Sequence, residues 1–140
     1  MTKQDCINFA NENHTCYLAT VEDDQPRVRA LDFWFADETG FYFQTGAVKE
    51  FYKQLKKNPK TEVCFYKHEN KIGTMLRVSG EVEFLNEKAL KEKAITDRPY
   101  LKSFGMTADS PGMIIFRMAY GQAHFWTMEN NKTPKEIIEF

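Results

Sequence analysis

The segment Met113–Met128 constrains the fold of this 140-residue chain more than any other. Its residues favour a β-strand almost throughout, and a straight strand of this length would exceed ~50 Å at roughly 3.3 Å per residue. A single domain of this size has a radius of gyration of only ~14 Å. We therefore predict that the strand bends, and Gly121 is the position where the missing side chain makes a bend easiest.

The other β-prone segments predict a mainly β domain. Alternating apolar residues and turn signals place five further strands at Thr15–Val21, Arg27–Ala36, Phe41–Thr45, Glu62–His68 and Thr74–Leu85. The first three form a predicted antiparallel meander, and a polar turn containing Gly73 joins the last two. Six strands with long antiparallel members close most easily as a small barrel with helices at its ends. The length allows one domain, spanning residues 1–140.

Three helices are predicted around this barrel, over residues 2–13, 49–57 and 86–97. Thr2 is the expected N-cap of the first helix, with Asp5 three positions on. Asn58 and Pro59 end the second helix, and Asn86 is the expected N-cap of the third. Residues 98–112 contain two prolines and two glycines, so we predict an irregular segment there.

Composition narrows the function classes. The net charge of −1 argues against a protein that coats nucleic acid, because phosphate neutralisation needs a clear basic excess. No apolar run is long enough to span a bilayer, and residues 1–5 do not resemble a signal peptide, so we expect a cytoplasmic protein that does not bind membranes. The 12 Phe, 6 Tyr and 2 Trp suit a β-rich domain with a sizeable buried interface.

The cysteines and histidines do not predict a metal site. Cys6, Cys16 and Cys64 lack metal-ligand spacing, and we expect them to be small apolar side chains of a core. The three histidines also lack such spacing, which argues against zinc or non-haem iron. His124 alternates with Trp126 on one strand face. It either reaches a ligand cavity or lies at a seam between subunits, and we favour the seam.

A basic pattern around the second and third strands predicts a phosphate site. Arg27 and Arg29 are two residues apart and project from the same side of a strand. Thr45 and Gly46 precede a helix whose Lys49 and Lys53 are one turn apart, so an anion there would meet free backbone N–H groups and ammonium groups. The aromatic surroundings suggest that the rest of the ligand is planar. The alternative is a charged, exposed edge strand whose arginines pair with Asp23, Asp24 or Asp32.

These residues belong to a series of short motifs that runs through nearly the whole chain. In order, they are Tyr17-Leu18-Ala19-Thr20-Val21, Pro26-Arg27-Val28-Arg29, Phe43-Gln44-Thr45-Gly46, Tyr52-Lys53-Gln54-Leu55-Lys56-Lys57-Asn58-Pro59, Val78-Ser79-Gly80-Glu81-Val82 and Phe125-Trp126. In their order and spacing the chain resembles the pyridoxamine 5'-phosphate oxidase-like, FMN-binding split-barrel proteins. The resemblance implies a six-stranded antiparallel split barrel that binds FMN between the two subunits of a homodimer.

Carried over residue by residue, the resemblance also implies a cofactor site. Its residues are Arg27, Val28 and Arg29 along one strand, Gln44 and Thr45 on the next, and Trp126 from across the dimer interface. The basic residue for the phosphate often stands in this family where this chain has Phe51, so Lys49 and Lys53 are both candidates. We identify no catalytic residue, since the hydride or electron transfer would belong to the flavin.

Two departures bear on the reaction. Residues 127–131, after Trp126, contain neither arginine nor histidine, whereas the full-length oxidase has an arginine-and-histidine motif that grips the substrate phosphate. Met75 stands where the oxidase has a glutamine that contacts the flavin. The chain is more similar to the shorter general stress proteins and nitroimidazole-resistance-type flavin reductases. We therefore expect a reductase of a small molecule, such as a nitro compound, with NADH or NADPH as electron donor, rather than a pyridoxal phosphate-forming enzyme.

Three alternatives remain open at this point. The same fold would serve a non-enzymatic, stress-related protein that binds flavin without reducing it. The barrel could instead hold another ligand, such as haem or a deazaflavin. The third alternative is a small barrel that binds single-stranded nucleic acid through exposed aromatic residues, and the near-neutral charge counts against it.

Overall fold

A computed structural model describes residues 1–69 and 71–140 of the chain. Its strands are β1 (Thr15–Glu22), β2 (Gln25–Asp32), β3 (Phe35–Asp37), β4 (Gly40–Gly46), β5 (Lys60–Lys67), β6 (Thr74–Glu81), β7 (Glu83–Leu85), β8 (Met113–Met118), β9 (Gly121–Trp126) and β10 (Ile138–Glu139). Its helices are α1 (Lys3–Glu12), α2 (Glu50–Lys57), α3 (Lys88–Asp97) and α4 (Tyr100–Ser103). The predicted mainly β fold is confirmed.

The strands form two antiparallel sheets. The six-stranded sheet has the order β10-β9-β6-β5-β1-β2, and the four-stranded sheet has the order β3-β4-β8-β7. Their inner faces share one core that includes Leu18, Phe33, Phe65 and Phe116. Phe33 lies at its centre, with ring centroids 4.9 Å from Phe65 and 5.2 Å from Phe43. The aromatic surplus of the sequence is thus partly used to fill a barrel.

Each of the three longest predicted strands is divided between the two sheets. Arg27–Ala36 becomes β2 and β3, Thr74–Leu85 becomes β6 and β7, and Met113–Met128 becomes β8 and β9. The predicted three-stranded meander is therefore wrong, because β2 pairs with β1 in one sheet while β3 pairs with β4 in the other. The division occurs after Asp32, where Phe33 is fully buried in the barrel core and Trp34 packs in the second core described below.

The predicted bend at Gly121 is confirmed. Gly121 begins β9 and stands opposite Gly80 of β6. A Cβ at Gly121 would lie 2.1 Å from the carbonyl oxygen of Ser79, and one at Gly80 would lie 2.5 Å from that of Tyr120. The two glycines let the backbones approach closely where the chain leaves one sheet and enters the other.

The helices largely follow their predictions. Thr2 caps α1, with Asp5 completing the capping box, and Cys6 and Ala10 face the barrel core. The expected cap at Asn86 is wrong: α3 begins at Lys88 after Glu87, and the Asn86 side chain accepts a hydrogen bond from Lys91 Nζ at 2.7 Å instead. The predicted polar turn before β6 includes Asn70, which lies outside the described residues.

Helices cover the outer face of the four-stranded sheet. Trp34, Tyr42, Met113 and Ile115 on that side pack with Leu101 and other residues of the α3–α4 region in a second core. We call this surface the covered face. Trp34 Nε1 donates to Asp97 Oδ2 at 2.9 Å, which ties α3 to the sheet. The predicted irregular segment after α3 thus contains the short helix α4.

The outer face of the six-stranded sheet is different. We call it the open face; cross-strand pairing places on it Tyr17, Val28, Ala30, Cys64, Tyr66, Arg77, His124 and Trp126. Tyr17, Val28 and Tyr66 are 45%, 70% and 38% exposed. Helices α1 and α2 contribute to the barrel core on the opposite side of the sheet.

The cysteines stay unpaired, and Cys6 and Cys16 are buried, as expected of apolar core residues. Burial raises the pKa of Cys6 to about 11 and that of Cys16 to about 12. Within the described residues, no three His, Cys, Asp or Glu side chains gather as a metal site would need. No helix in the same part of the chain has the length and apolar character to cross a membrane.

Candidate functional site

A cleft opens where the two sheets separate. β2 is the last strand of its sheet and pairs only with β1, while β3 covers β4 only as far as Tyr42. The end of β4 and the end of β2 therefore face each other without backbone hydrogen bonds that pair the two strands. The space between them has a volume of about 480 Å³. We call it the split cleft; it is lined by residues 30–32, 43–46, 48 and 49 and by Arg98, Tyr100, Leu101, Phe104 and Met106.

The edge of β2 presents backbone groups to this cleft. The Phe33 N–H donates to the His14 carbonyl at 2.7 Å, continuing the direction in which β2 pairs with β1. Because N–H and C=O groups of alternate residues point to opposite sides of a strand, those of Val28, Ala30 and Asp32 point to the free edge. The Asp32 carbonyl accepts a hydrogen bond from Arg98 there. The cleft thus offers backbone donors beside apolar walls.

Arg27 and Arg29 project from the same side of β2, as predicted, but they are already engaged. The Arg29 guanidinium donates to the Leu18 carbonyl, to Thr20 Oγ1 at 2.8 Å and to Gln54 Oε1 at 2.7 Å. Burial lowers the pKa of Arg29. Both side chains lie outside the residues that line the split cleft.

The alternative of a charged edge strand has a counterpart in the structure. Arg27 is exposed and pairs with Glu22 at 3.1 Å, rather than with one of the three aspartates considered. Asp23 pairs instead with Lys57, and Asp32 lies 3.6 Å from Arg98. An ion pair at the surface contributes little to stability, so Arg27 can exchange its partner for a ligand at small cost.

Gln44 and Thr45 both line the cleft, although consecutive strand residues point to opposite faces. The Thr45 side chain is 8% exposed and points toward the barrel, whereas Gln44 lies on the outer side beside Ile115. Gln44 Nε2 donates to the Thr45 carbonyl at 2.9 Å. One ligand could therefore meet the Gln44 side chain and the Thr45 backbone, but not both side chains equally.

The structure separates the two candidate lysines. Lys49 lines the split cleft at the N-cap position of α2, where its side chain makes no capping hydrogen bond. Lys53 lies outside the lining and pairs with Glu50 at 3.2 Å. Of the two, Lys49 is the residue that joins a cationic side chain to the first N–H groups of a helix.

Trp126 does not reach the split cleft of its own chain. β9 and β2 are separated in the sheet by β6, β5 and β1, which places them roughly 19 Å apart at about 4.8 Å per strand. Trp126 Nε1 donates to Asn131 Oδ1 at 3.0 Å, and its cross-strand neighbour is Met75. A cavity of about 130 Å³ lies beside these residues.

His124 also lines this small cavity, on the open face together with Trp126. Burial lowers its pKa, and the positive charges of Lys135 and Arg77 add to the effect. The neutral imidazole is therefore favoured at neutral pH. His124 thus borders a small cavity on the open face and lies outside the lining of the split cleft; its place at a subunit seam stays a prediction.

Sequence reasoning missed Arg98, which lies in the wall of the cleft. The residue stands directly before Pro99 at the end of α3 and is 7% exposed. Its guanidinium contacts Asp32 on β2, Gln44 on β4 and Tyr100 on α4. Tyr100, Phe104 and Met106 were also missed. A single arginine before a proline gives no sequence signal that it will be buried, so only the fold could identify this wall.

Comparisons with known proteins agree with this architecture. A family model described as pyridoxamine 5'-phosphate oxidase matches residues 3–130. No curated protein sequence matches the chain. A NimC/NimA family protein from Clostridium acetobutylicum has 28% identity and a TM-score of 0.80, with 98% of this chain and 92% of that chain covered.

Two further solved structures share the fold. General Stress Protein 26 from Bacillus anthracis has 17% identity and a TM-score of 0.76, with both chains covered completely, at 100%. A protein from Mesorhizobium loti described as FAD-binding has 20% identity and a TM-score of 0.71, with 89% of this chain and 94% of that chain covered. These two matches show that the fold of this chain is shared over 89% to 100% of its length.

Proposed function

The chain belongs to the pyridoxamine 5'-phosphate oxidase-like family, and from this premise we propose that it is an FMN-dependent oxidoreductase. It would act as a homodimer with the cofactor at the subunit interface. Its substrate would be a small molecule, such as a nitro compound, and its electron donor NADH or NADPH. The description of one structural neighbour as FAD-binding supports a flavin more broadly.

One observation carries the proposal: the split cleft combines the groups that a phosphorylated planar ligand needs. Leu31 and Met106 supply apolar contacts, and the free edge of β2 supplies backbone N–H groups. Lys49 supplies a positive charge beside the start of a helix. The volume of about 480 Å³ falls within the range of roughly 300–1,000 Å³ usual for small-molecule sites. The residues present fit a flavin mononucleotide.

Each residue then has a task. Lys49 would bind the phosphate, with Arg27 recruited from its exposed ion pair and Lys53 as the other candidate. Arg29 would hold the strand through its bonds to Thr20 and Gln54. The backbone of Val28, with the Gln44 side chain and the Thr45 backbone, would orient the ring. The bound flavin would supply the hydride or electron transfer, so the protein needs only to bind, orient and polarise.

The homodimer completes this site. Trp126 lies about four strands from β2 in its own chain, so it could approach the flavin only from a second copy. The exposed apolar side chains of the open face, Tyr17 and Val28 among them, suit a partner surface. A two-fold arrangement would place each open face against its equivalent.

Pyridoxal phosphate formation is not part of the proposal. Residues 127–131 contain no arginine or histidine for a substrate phosphate, and Met75 replaces a polar side chain beside Trp126. A small substrate without a phosphate suits this chain better. The 28% identity to a NimC/NimA family protein also favours such a substrate.

The visible absorbance spectrum of the purified protein tests the cofactor. We expect flavin bands, which bleach when NADH or NADPH is added without oxygen and return when a nitroaromatic acceptor is added. Flavin that never bleaches with either nicotinamide favours the non-enzymatic, stress-related alternative. A Soret band favours haem, and absence of every chromophore after incubation with FMN contradicts the proposal.

A double substitution, Arg27→Ala with Lys49→Ala, tests the phosphate assignment. Removal of two charge-assisted contacts should weaken FMN binding by about 100-fold or more, since each is typically worth roughly 1.5–3 kcal/mol. The control is Lys57→Ala with Lys88→Ala, which removes two exposed charges outside the cleft. Stoichiometric flavin in the purified double variant would contradict the roles given to Arg27 and Lys49. The single variants Lys49→Ala and Lys53→Ala then decide between the lysines.

A further inference from the structure

Arg98 is the one charged residue in the buried set of the described chain, at 7% exposed. Burial of a guanidinium is costly unless its donors are satisfied, so each contact of this side chain needs a reason. The backbone of Arg98 is held in place because it caps α3, donating its N–H to the Ala94 carbonyl at 2.9 Å, and Pro99 starts the turn into α4. The side chain therefore extends from a rigid support.

The contacts of Arg98 reach both sides of the split. Nη2 donates to the Asp32 carbonyl at 2.7 Å and lies 3.6 Å from Asp32 Oδ2, at the end of β2. Nη1 lies 3.4 Å from Gln44 Oε1, on β4, and 3.4 Å from the Tyr100 hydroxyl. β2 and β4 belong to different sheets. One planar side chain thus spans a gap that the backbone ladders leave open.

We propose that Arg98 is a positioning residue that clamps the ends of β2 and β4 and so sets the width of the split cleft. The guanidinium suits this task because its donors form a rigid fork that can bind two acceptors in one plane. The neighbouring Asp97 accepts a hydrogen bond from Trp34 Nε1. Arg98 thus contacts Asp32 before Phe33, and Asp97 contacts Trp34 after it. The identity of the ligand in the cleft rests on the proposed function, whereas the clamp is argued from the contacts of Arg98 alone.

The proposal has a consequence for ligand binding. A cleft of fixed width holds the backbone donors of β2 and the Gln44 side chain ready for one planar ligand, which reduces the ordering that binding requires. Without the clamp, the free edge of β2 and the end of β4 can separate. The ligand would then have to order both strands when it binds.

The test compares Arg98→Met and Arg98→Lys in the full-length protein without ligand. Methionine fills the buried volume without donors, and lysine keeps the charge but loses the planar fork. In hydrogen–deuterium exchange, we expect Arg98→Met to speed exchange at residues 30–34 and 43–46 by tenfold or more, with residues 60–67 unchanged. Arg98→Lys should be intermediate. Unchanged exchange in the two strand ends would overturn the clamp.

Arg117→Met is the matched control. Arg117 also bridges two groups, donating to the Tyr42 hydroxyl at 2.9 Å and to Glu83, but it lies outside the split cleft. Arg117→Met should leave hydrogen–deuterium exchange at residues 30–34 unchanged. If Arg98→Met does not fold, Gln44→Met removes one arm of the clamp, and the same local increase, smaller in size, is expected. Equal exchange in Gln44→Met and the wild type would count against the proposal.

FMN titration provides the second measurement. We expect Arg98→Met to weaken FMN binding at least fivefold, Arg98→Lys to restore part of it, and Arg117→Met to leave it unchanged. Equal FMN affinity in wild type and Arg98→Met would overturn the positioning role. If the wild type itself binds no FMN, the proposed function fails, and the exchange data alone then decide for or against the clamp.

Discussion

The outer faces of the two sheets differ in solvent exposure. On the covered face, Trp34, Met113 and Ile115 are 5% exposed or less, because α3 and α4 pack against them. On the open face, Tyr17 and Val28 are 45% and 70% exposed, although the strands that carry them are just as regular. Both inner faces share the same core.

The two outer faces differ in what covers them. The covered face is finished by residues 88–106 of the same chain, which also supply one wall of the split cleft. The open face has apolar side chains without such a cover and carries Trp126 at one edge. Under the proposed function a second copy covers it.

Truncation of the covered face should cost the most. Ile115→Ala removes a side chain that is 1% exposed in the second core, and we expect a loss of about 2–5 kcal/mol in the free energy of unfolding. Val28→Ala on the open face should cost less than about 0.5 kcal/mol when measured at dilutions that favour the monomer. Urea unfolding of both variants checks the contrast. Equal losses would mean that the open face is a core surface even in one chain.

A charge on the open face should break the proposed dimer without unfolding the chain. Tyr17→Arg is expected to weaken self-association by about 2 kcal/mol or more, roughly 30-fold in Kd, because an interface centre tolerates a desolvated charge poorly. The control is Tyr120→Arg, at a residue 81% exposed between β8 and β9. Sedimentation equilibrium measures both. A wild type that sediments as a monomer while flavin is bound would refute the dimer.

Thiol labelling sharpens the same contrast. Cys64 lies on the open face opposite Tyr17, whereas Cys6 and Cys16 are buried in the barrel core. Burial raises the pKa of Cys64, and under the proposed function a second copy covers it, so it should react slowly with a thiol reagent. When the wild type is diluted below the Kd of self-association, we expect labelling of Cys64 to become several-fold faster, with Cys6 and Cys16 still protected. Peptide mapping identifies the labelled residue; unchanged labelling of Cys64 would show that no partner covers it.

The smallest effect concerns acid stability of the covered face. The ammonium of Lys93 and the indole N–H of Trp34 lower the pKa of Asp97 below its ordinary value of 3.8. Because the folded pKa is the lower one, this stabilisation is fully present above about pH 4 and disappears as the pH falls through the folded pKa. The carboxylate is partly exposed, so Asp97→Asn should cost less than about 1 kcal/mol at pH 7. The difference in the free energy of unfolding between pH 7 and pH 3 should be smaller in Asp97→Asn than in the wild type.

Much of the fold was predictable from local pattern. Alternating apolar residues located the strands, and Gly121 located the bend in the longest predicted strand, since strand periodicity and glycine geometry are local properties. The division of Arg27–Ala36 between two sheets was not predictable, because Phe33 and Trp34 are simply two more strand-forming residues until two cores compete for them. The cap at Asn86 was also wrong, since α3 begins at Lys88 and the Asn86 side chain accepts a hydrogen bond from Lys91.

The candidate site was predictable only in part. The motifs around Gln44, Thr45 and Lys49 led to residues that do line one cleft. Arg27 and Arg29 share a strand side as predicted, yet their acceptors on Glu22, Thr20 and Gln54 come from two other elements, β1 and α2. Which cation faces a ligand depends on such partners.

The sequence alone determined that the chain is mainly β, that its longest predicted strand must bend, and which family it belongs to. Periodicity, chain length and motif order are all properties of the linear sequence. The tertiary structure alone decided that one sheet face is covered and the other open, that β2 and β4 stop short of each other, and that Arg98 spans the gap between them. These properties depend on which elements pack together, and residues as far apart as Asp32 and Arg98 carry no local signal of their contact.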